Sequence, residues 1–454
     1  MLNETHDPSL RSWVASANAE GTGFPIQNLP FGVFRSKRTD AKVPRIGVAI
    51  GDEVLDLRTT SMAGLLASLP AAARQACEEN SLNALMRLGP QAWASLRLAL
   101  SRLLREGSAA KPTVEPFLVA QNEVDMVLPA AIGDFTDFFA SLHHATRAGA
   151  TVRPDQPVFP NYEWVPIAYH GRSSSIRTGP VDIRRPHGQT RMDGKAAPTF
   201  GPTARLDYEA ELGFFVGPGN ELGESIPIDA ANDHIFGLCL LNDWSARDIQ
   251  SWESKPLGPF LAKNFATVIS PWVVTWEALQ PFRASWNKAG RDVLPYLDSS
   301  DNEANGGIDI QMHVYLQSAQ MRRDGVPRSL VSATSTRHCY WTLAQMVAHH
   351  TSNGCNLMPG DLIGTGTQSG PRMEEAGCLL EMTASDKLTL PNGEERKFVE
   401  DGDTITLSGR CSRPGFRSIS FGESITTVLQ ALADHPSDQC PPLHEAGDVI
   451  ESHR

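Results

Sequence analysis

The 454-residue chain has no long apolar run, no Cys-x-x-Cys pair and no low-complexity tract, and each absence excludes a class of protein. A membrane-spanning helix needs about 20 consecutive apolar residues, so the sequence predicts no membrane protein. The seven cysteines are scattered and odd in number, which fits a reducing cytosol better than a disulfide framework or a zinc site. The first residues carry neither a basic region nor an apolar run, so no signal peptide is indicated. We therefore expect a soluble, cytoplasmic protein.

Positive charge is also scarce, since the formal net charge is −12 at pH 7. Binding to phosphate backbones needs clustered Lys and Arg, so this balance argues against a nucleic-acid partner. The remaining composition, 41% hydrophobic and 20% charged, is that of an ordinary globular protein with a sizeable core. The length predicts two or three domains. A small molecule is therefore the expected partner.

Periodicity divides the chain into a helical N-terminal part and a strand-rich remainder. Residues 45–57 alternate around a Gly-Asp turn and predict a hairpin, and apolar residues recur at helical spacing from Pro90 until Gly107. From about 127 onward strands dominate, and the clearest helix runs from Tyr340 to Ser352 with Thr342 as its cap. This pattern predicts an α+β, mostly β fold.

Three segments follow from that division. Residues 1–126 are predicted to form a small mixed domain, residues 127–434 the catalytic β-rich domain, and residues 435–454 a polar C-terminal tail. The boundary is placed after the polar stretch that begins at Lys111-Pro112.

Acidic and basic residues cluster in the second segment. Asp137 precedes His144, Glu209 and Glu211 alternate with apolar residues, Asp243 ends an apolar run, and Lys263 lies in an apolar neighbourhood. Strand alternation places Glu209 and Glu211 on one face, about 7 Å apart. Two carboxylates that close favour either a shared proton or a bound cation. The pattern indicates a metal-assisted hydrolase.

Simpler interpretations remain open for each cluster. The two glutamates could belong to an exposed strand face or to a glycosidase-like acid/base pair. Arg247 could form a local salt bridge with Asp248 or Glu253, Lys263 could snorkel to solvent, and His144 could be structural. The Gly-rich segment 364–370 lacks the Gly-Lys-Ser/Thr ending of a phosphate loop, so a turn directing backbone donors at a ligand is favoured.

Longer motifs resemble the fumarylacetoacetase family, in its long two-domain form. The resemblance covers about residues 20 to 430. The matching segments are YHGRSSSI at 169–176, FFVGPGN at 214–220, NDWSARDIQ at 242–250, PLGPFL at 256–261 and NGCNLMPGDL at 353–362. It implies an SH3-like N-terminal domain, a mixed β-sandwich roll as catalytic domain, and a homodimer.

The resemblance also implies a role for each matching residue. The calcium ligands would be Asp137, Glu209, Glu211 and Asp243, and a magnesium position would involve Asp243, Lys263 and Thr267. The catalytic set would be His144 as base, Glu381 as its partner, and Arg247, Gln250 and Lys263 as oxyanion donors. Substrate contacts would come from Phe139, Arg153, Tyr169, Gln250, Ser254 and Thr367. Four carboxylates without sulfur suit a hard cation.

Two positions depart from the family pattern. The family usually has a substrate-contacting tyrosine at the positions of Phe139 and Ser254. The resemblance implies metal-dependent hydrolysis of the carbon–carbon bond of 4-fumarylacetoacetate to fumarate and acetoacetate, the last step of tyrosine and phenylalanine catabolism. The departures keep a second hypothesis open, a related hydrolase or decarboxylase acting on another β-diketo acid or acylpyruvate. A third, a non-catalytic binding protein, would not need His144, Glu381 and Lys263.

Overall fold

In the described residues, the N-terminal part combines one sheet with five α-helices. The computed structural model describes residues 2–37, 43–151, 153–191, 197–286 and 291–433, so the predicted tail lies outside the described residues. The elements are β1 Phe31–Ser36, β2 Arg45–Ile50, β3 Glu53–Asp56, α1 Leu57–Met62, α2 Ala71–Cys77, α3 Asn83–Met86, α4 Pro90–Leu104, α5 Lys111–Val114, β4 Leu118–Ala120 and β5 Val124–Val127.

Local patterns explain this part of the fold. Strands β2 and β3 pair antiparallel around Gly51, whose φ of 59° is a conformation that glycine adopts without strain. Helix α4 starts with Pro90 at its first turn and buries Trp93 and one apolar stripe. The sheet order is β4-β3-β2-β1-β5, antiparallel throughout. The predicted hairpin and the predicted helix are confirmed, whereas the division at residue 126 falls inside β5 and stays a prediction.

The remainder of the chain is richer in strands. Its first half contains β6 Phe135–Phe138, α6 Leu142–Ala150, β7 Ala168–His170, β8 Ile176–Thr178, β9 Val181–Arg184, β10 His187–Thr190, β11 Thr199–Pro202, β12 Leu206–Asp207, β13 Ala210–Val216, β14 Ile235–Asp243, β15 Ser245–Ala246, α7 Arg247–Glu253, β16 Thr267–Ile269 and β17 Val274–Thr275. Its second half contains β18 Arg283–Ala284, α8 Ser300–Asn305, β19 Gly307–Ile308, β20 Gln311–Gln317, α9 Ala319–Arg323, β21 Ser329–Ser335, α10 Leu343–Thr351, β22 Leu362–Gly364, α11 Leu379–Met382, β23 Leu388–Thr389, β24 Glu395–Arg396, β25 Thr404–Cys411 and β26 Ile419–Leu429.

Two sheets form the body of this mixed α/β protein. The larger has the order β7-β6-β22-β13-β14-β16-β8, with β17 also paired to β14, and the smaller has the order β21-β20-β25-β26-β9. Both are mixed, because β6 runs parallel to β22, β8 to β16, and β9 to β26. Leu240 of the larger sheet and Leu407 and Phe421 of the smaller belong to one buried core. Their burial holds the two sheets face to face.

The N-terminal elements pack against the larger sheet. Phe236 of β14 contacts Phe31 and Trp93, at ring-centroid distances of 6.0 and 5.2 Å. Phe215, Leu241 and the N-terminal core belong to the same buried cluster. The large sheet is therefore covered by apolar side chains and reads as near-continuous hydrophobic strands.

One sequence prediction about strands is wrong. Alternation over residues 206–214 predicted one regular strand, with an exposed polar face as one of the open interpretations. The structure has β12 at 206–207, a break, and then β13 from Ala210, and every residue from Leu206 to Val216 is buried. The pattern misled because both faces of this strand are covered. In helix α10, by contrast, Thr342 forms the predicted cap, and Gln345 completes a capping box.

No helix in the described ranges is long and apolar enough to cross a membrane.

Candidate functional site

Three buried carboxylates converge at one end of the larger sheet. Asp137 lies on β6, Glu211 on β13 and Asp243 at the end of β14, and a carboxylate oxygen from each lies within 4.8 Å of the others. The exposed fractions are 2%, 0% and 0%. Sheet pairing explains the convergence, because β22 separates β6 from β13 and aligns Gly364 with Asp137.

The carboxylate cluster of Asp137, Glu211 and Asp243 fits a hard divalent cation. Both carboxylate oxygens of Glu211 are buried and have no hydrogen-bond donor among the described residues. Burial, with the charges of the neighbouring carboxylates, raises the pKa of Glu211 and of Asp137 well above the usual range. A Cβ at Gly364 would lie 2.4 Å from Asp137 Oδ1 and 3.2 Å from Glu211 Oε2, so glycine keeps this space open. Oxygen donors in such a pocket suit calcium or magnesium.

A second layer of charge lies beside this cluster. Lys263 Nζ contacts Glu209 Oε2 at 2.5 Å and Asp243 Oδ2 at 2.7 Å, and Arg247 Nη1 donates to Glu209 Oε1 at 2.6 Å. Burial alone would raise the pKa of Glu209, but Lys263 and Arg247 outweigh it and hold that pKa far below its usual range. Glu209 therefore differs from Glu211, since both of its oxygens already face cations.

These contacts decide two of the open alternatives. Lys263 is buried between carboxylates instead of snorkelling to solvent. Arg247 pairs with Asp207, 40 residues away, at 2.9 Å from Nε, and not with its neighbours Asp248 or Glu253. The interpretation of Glu209 and Glu211 as an exposed strand face is likewise wrong, because both are buried.

His144 and Glu381 form an imidazole–carboxylate pair beside Glu209. His144 lies in the first turn of α6, which begins after the cap residue Ser141, and its Nδ1 lies 2.6 Å from Glu381 Oε1. Burial would raise the pKa of Glu381, but His144 and Arg147 lower it to about 2. The ionised carboxylate orients the ring, so that Nε2 points to Glu209 Oε1, 4.0 Å away. Because Nδ1 is occupied by Glu381, Nε2 is the ring nitrogen left to act as a base.

Three of the predicted substrate-contacting residues lie beside these charged groups. The ring of Phe139 lies edge-on to His144 at 5.4 Å and also packs on Tyr162 at 5.8 Å. Tyr169 donates its hydroxyl to Asp243 Oδ2 at 2.7 Å, and Gln250 Oε1 accepts from Arg247 at 3.2 Å. These residues therefore touch the charged groups directly.

The other predicted positions differ in their placement. Thr267 Oγ1 lies 3.4 Å from Asp243 Oδ1, and Thr367 is buried in the loop after β22. Ser254 caps the C-terminus of α7. The Arg153 side chain stacks on Phe159 at 4.3 Å and donates to the carbonyl of Pro157, so both of these side-chain contacts lie within its own loop.

One backbone N–H of the Gly-rich segment reaches the carboxylate cluster, whereas its predicted contact with a ligand stays a prediction. The N–H of Gly366 donates to Asp137 Oδ1 at 3.1 Å. Its φ of 75° is in the left-handed region, and the close approach of the Phe138 carbonyl leaves no room for a side chain. The segment is thus a turn that directs a donor at a carboxylate.

Sequence reasoning missed four residues around the pair. Glu381 also accepts from Ser369 Oγ at 2.8 Å, Cys378 Sγ at 3.4 Å and Arg147 Nε at 2.7 Å. Asp207 accepts the backbone N–H groups of Leu379 and Leu380, which open α11. Only Asp207 carried a signal, since it adjoins the Glu209 cluster; the others come together through the tertiary fold.

Two protein-family models match most of the chain. The family model for the C-terminal part of fumarylacetoacetate (FAA) hydrolase matches residues 135–429, and the model for the fumarylacetoacetase N-terminal part matches residues 27–129. The fumarylacetoacetase of Oryza sativa subsp. japonica is 45% identical over 93% of this chain and 98% of its own length. That of Caenorhabditis elegans is 46% identical over 91% and 98%, and that of Homo sapiens 43% over 91% and 98%. The chain therefore belongs to the fumarylacetoacetase family.

Proposed function

We propose that the protein hydrolyses the carbon–carbon bond of 4-fumarylacetoacetate, giving fumarate and acetoacetate, in a metal-dependent reaction. The observation that carries the proposal is the His144–Glu381 pair, whose free ring nitrogen faces Glu209; Lys263 connects Glu209 to Asp243 of the carboxylate cluster. The relatives named fumarylacetoacetase, similar over almost their whole length, support the same reaction.

The first step is the activation of water. His144 Nε2 and Glu209 Oε1 are 4.0 Å apart, close enough for one water molecule to contact both. Glu381 accepts a hydrogen bond from the Nδ1–H of His144. Nε2 therefore takes a proton from the water while the water oxygen attacks the carbonyl carbon next to the fumaryl double bond. The imidazolium that forms is stabilised by the ionised Glu381.

The second step breaks the carbon–carbon bond. Attack places a negative charge on the former carbonyl oxygen, and Arg247, Gln250 and Lys263 are the proposed donors to it. In the structure Arg247 and Lys263 already converge on Glu209, at 2.6 and 2.5 Å. Collapse of the tetrahedral species releases fumarate and the acetoacetate carbanion, which takes a proton from Lys263 or from water.

The charged groups also determine where a cation would be held. Asp137, Glu209, Glu211 and Asp243 are the proposed ligands of calcium, and the unpartnered oxygens of Glu211 support this. Magnesium is proposed near Asp243, Lys263 and Thr267, where the ammonium already occupies Asp243 Oδ2, so that Lys263 would contribute its carbonyl. When bound, the cation supplies a Lewis acid for the substrate oxygens.

The direct test is steady-state turnover of fumarylacetoacetate by the calcium- and magnesium-loaded protein, with and without a chelator. Equal amounts of fumarate and acetoacetate, lost on chelation, would support the proposal. A folded, metal-loaded protein without turnover would contradict it.

A second candidate function follows from Phe139. Its ring, against His144, brings no hydroxyl to the reacting groups, and Ser254 contributes only a short side chain. A hydrolase or decarboxylase for another β-diketo acid or for an acylpyruvate would need fewer hydrogen bonds at these positions.

Restoring the hydroxyl separates the two candidates. Phe139→Tyr is expected to raise kcat/KM for fumarylacetoacetate by about 2- to 10-fold, because one substrate hydrogen bond contributes roughly 0.5–1.5 kcal/mol. The measurement is the ratio of kcat/KM for fumarylacetoacetate to that for an acylpyruvate, with Phe200→Tyr at an exposed position of β11 as control. A loss of activity on fumarylacetoacetate with an unchanged acylpyruvate rate would favour the second candidate.

The protein is also proposed to act as a homodimer. Leu257, Phe260 and Leu261 are exposed by 97%, 65% and 45%, an apolar loop that a second subunit could cover. We expect light scattering to give twice the 49.4 kDa chain mass. Leu257→Asp should shift the protein towards the monomer, while the same change at Leu222, which is 78% exposed, should not; a monomeric wild type would contradict the proposal.

Four further assignments complete the proposal. The antiparallel order β4-β3-β2-β1-β5 supports an SH3-like N-terminal domain, and the second segment is proposed as a β-sandwich roll. The reaction is that of the last step of tyrosine and phenylalanine catabolism. The scattered cysteines support a cytoplasmic location.

A further inference from the structure

Arg147 contacts the carboxylate of Glu381 on the side away from His144. Its Nε donates to Glu381 Oε2 at 2.7 Å, whereas His144, Ser369 and Cys378 contact Oε1. Both Glu381 oxygens are therefore engaged, and the side chain of Glu381 is fully buried. The two oxygens have separate tasks: one faces the imidazole and the other faces a cation.

The guanidinium of Arg147 is itself fixed. Nη2 donates to the carbonyl of Gly370 at 2.9 Å, and Nη1 lies 3.4 Å from that of Pro371. Arg147 follows His144 by three residues on α6, so one helix face presents both groups to the same carboxylate. The planar fork thus connects α6, Glu381 and the loop that carries Ser369.

Charge gives this connection a second effect. A carboxylate as deeply buried as Glu381 is costly unless a cation compensates it. Arg147, with its side chain 19% exposed, supplies a permanent positive charge at 2.7 Å. The buried carboxylate is therefore held from both sides, by the ring of His144 and by the guanidinium of Arg147.

We propose that Arg147 is a positioning residue that fixes the Glu381 carboxylate, so that Oε1 accepts the Nδ1 proton of His144 and Nε2 stays free. This inference deepens the proposed function and rests on the assignment of His144 as the base. No such role was expected from the sequence or from the family resemblance.

The test compares Arg147→Met, Arg147→Lys and Arg147→Ala with Arg372→Met. Arg372 is a matched control, because it lies two residues after Gly370 and also forms an ion pair, with Glu375 at 2.9 Å. Unlike Arg147, it is exposed and does not contact Glu381. Arg147→Met is expected to lower kcat about 10- to 100-fold with KM changed less than about twofold, the loss of one charge-assisted hydrogen bond. Arg147→Lys should fall in between, and added guanidinium should restore part of the activity of Arg147→Ala.

A readout independent of turnover separates this inference from the proposed function. In ¹⁵N-histidine-labelled wild-type protein, the Nδ1 proton of His144 should give a strongly downfield signal that Arg147→Met weakens or shifts and Arg372→Met leaves unchanged. Wild-type protein that shows these signals but no turnover would contradict the proposed function only. An unchanged signal and a kcat within twofold of wild type in Arg147→Met, or equal losses in Arg372→Met, would overturn the role of Arg147.

Discussion

Replacing His144 by alanine is expected to lower kcat by about 10²- to 10⁴-fold, the usual contribution of a positioned general base. The loss should fall on kcat, because the charged donors Arg247 and Lys263 and the carboxylate cluster remain in place. Bound metal should stay at the wild-type level, since the nearest ligand carboxylate to the ring is 4.0 Å away. Steady-state kinetics and metal content of the purified protein are the measurements.

The neighbouring histidine provides a matched control. His143 lies on the same turn of α6, but it is only half-buried and its ring packs on His338 at 5.9 Å. His143→Ala should therefore keep kcat within about twofold, as for a partly exposed residue whose ring makes no hydrogen bond within the described residues. A His144→Ala protein that keeps most of its turnover would remove His144 from the mechanism.

The second large effect is expected at Glu211. Glu211→Gln keeps the shape but removes the charge of a carboxylate whose oxygens have no donor within the described part of the protein. Calcium affinity and turnover should both fall steeply. Without calcium, however, the unfolding midpoint should be at or above that of wild type, because the amide is neutral, whereas Glu211 must either stay charged beside two other buried carboxylates or bind a proton, as its raised pKa indicates.

Thermal unfolding with and without calcium checks this reversal of sign. Ligand at a hundredfold excess over Kd stabilises a native protein by about 2.7 kcal/mol, and this shift should appear in wild type and vanish in Glu211→Gln. The exposed Glu221→Gln should behave as wild type. If Glu211→Gln lowers the midpoint in chelator and keeps the calcium shift, the carboxylate cluster is not the metal site.

Local elements were predictable because their signals lie within a few residues. The helix starts depend on contacts within one turn: Pro90 begins α4, and Thr342 and Gln345 bond to backbone N–H groups at the start of α10. The break between β12 and β13 was not predictable from alternation, because burial on both faces removes the contrast on which the pattern depends.

The site was predictable only in part, for a related reason. Its carboxylates could be recognised as a cluster, but the partner of Arg247 is 40 residues away and that of His144 is 237 residues away. Glu381 was predicted as the partner of His144 only from the family resemblance. Arg147 and Ser369 meet Glu381 only because α6 and the loop after β22 are brought together by the larger sheet.

The most direct test of the central claim is the product balance of the metal-loaded wild-type protein acting on fumarylacetoacetate. The proposed metal-dependent hydrolysis predicts that each substrate molecule consumed yields one fumarate and one acetoacetate, that chelator abolishes the reaction, and that added calcium and magnesium restore it. Turnover unaffected by full removal of metal, or a folded, metal-loaded protein that leaves the substrate intact, would contradict it.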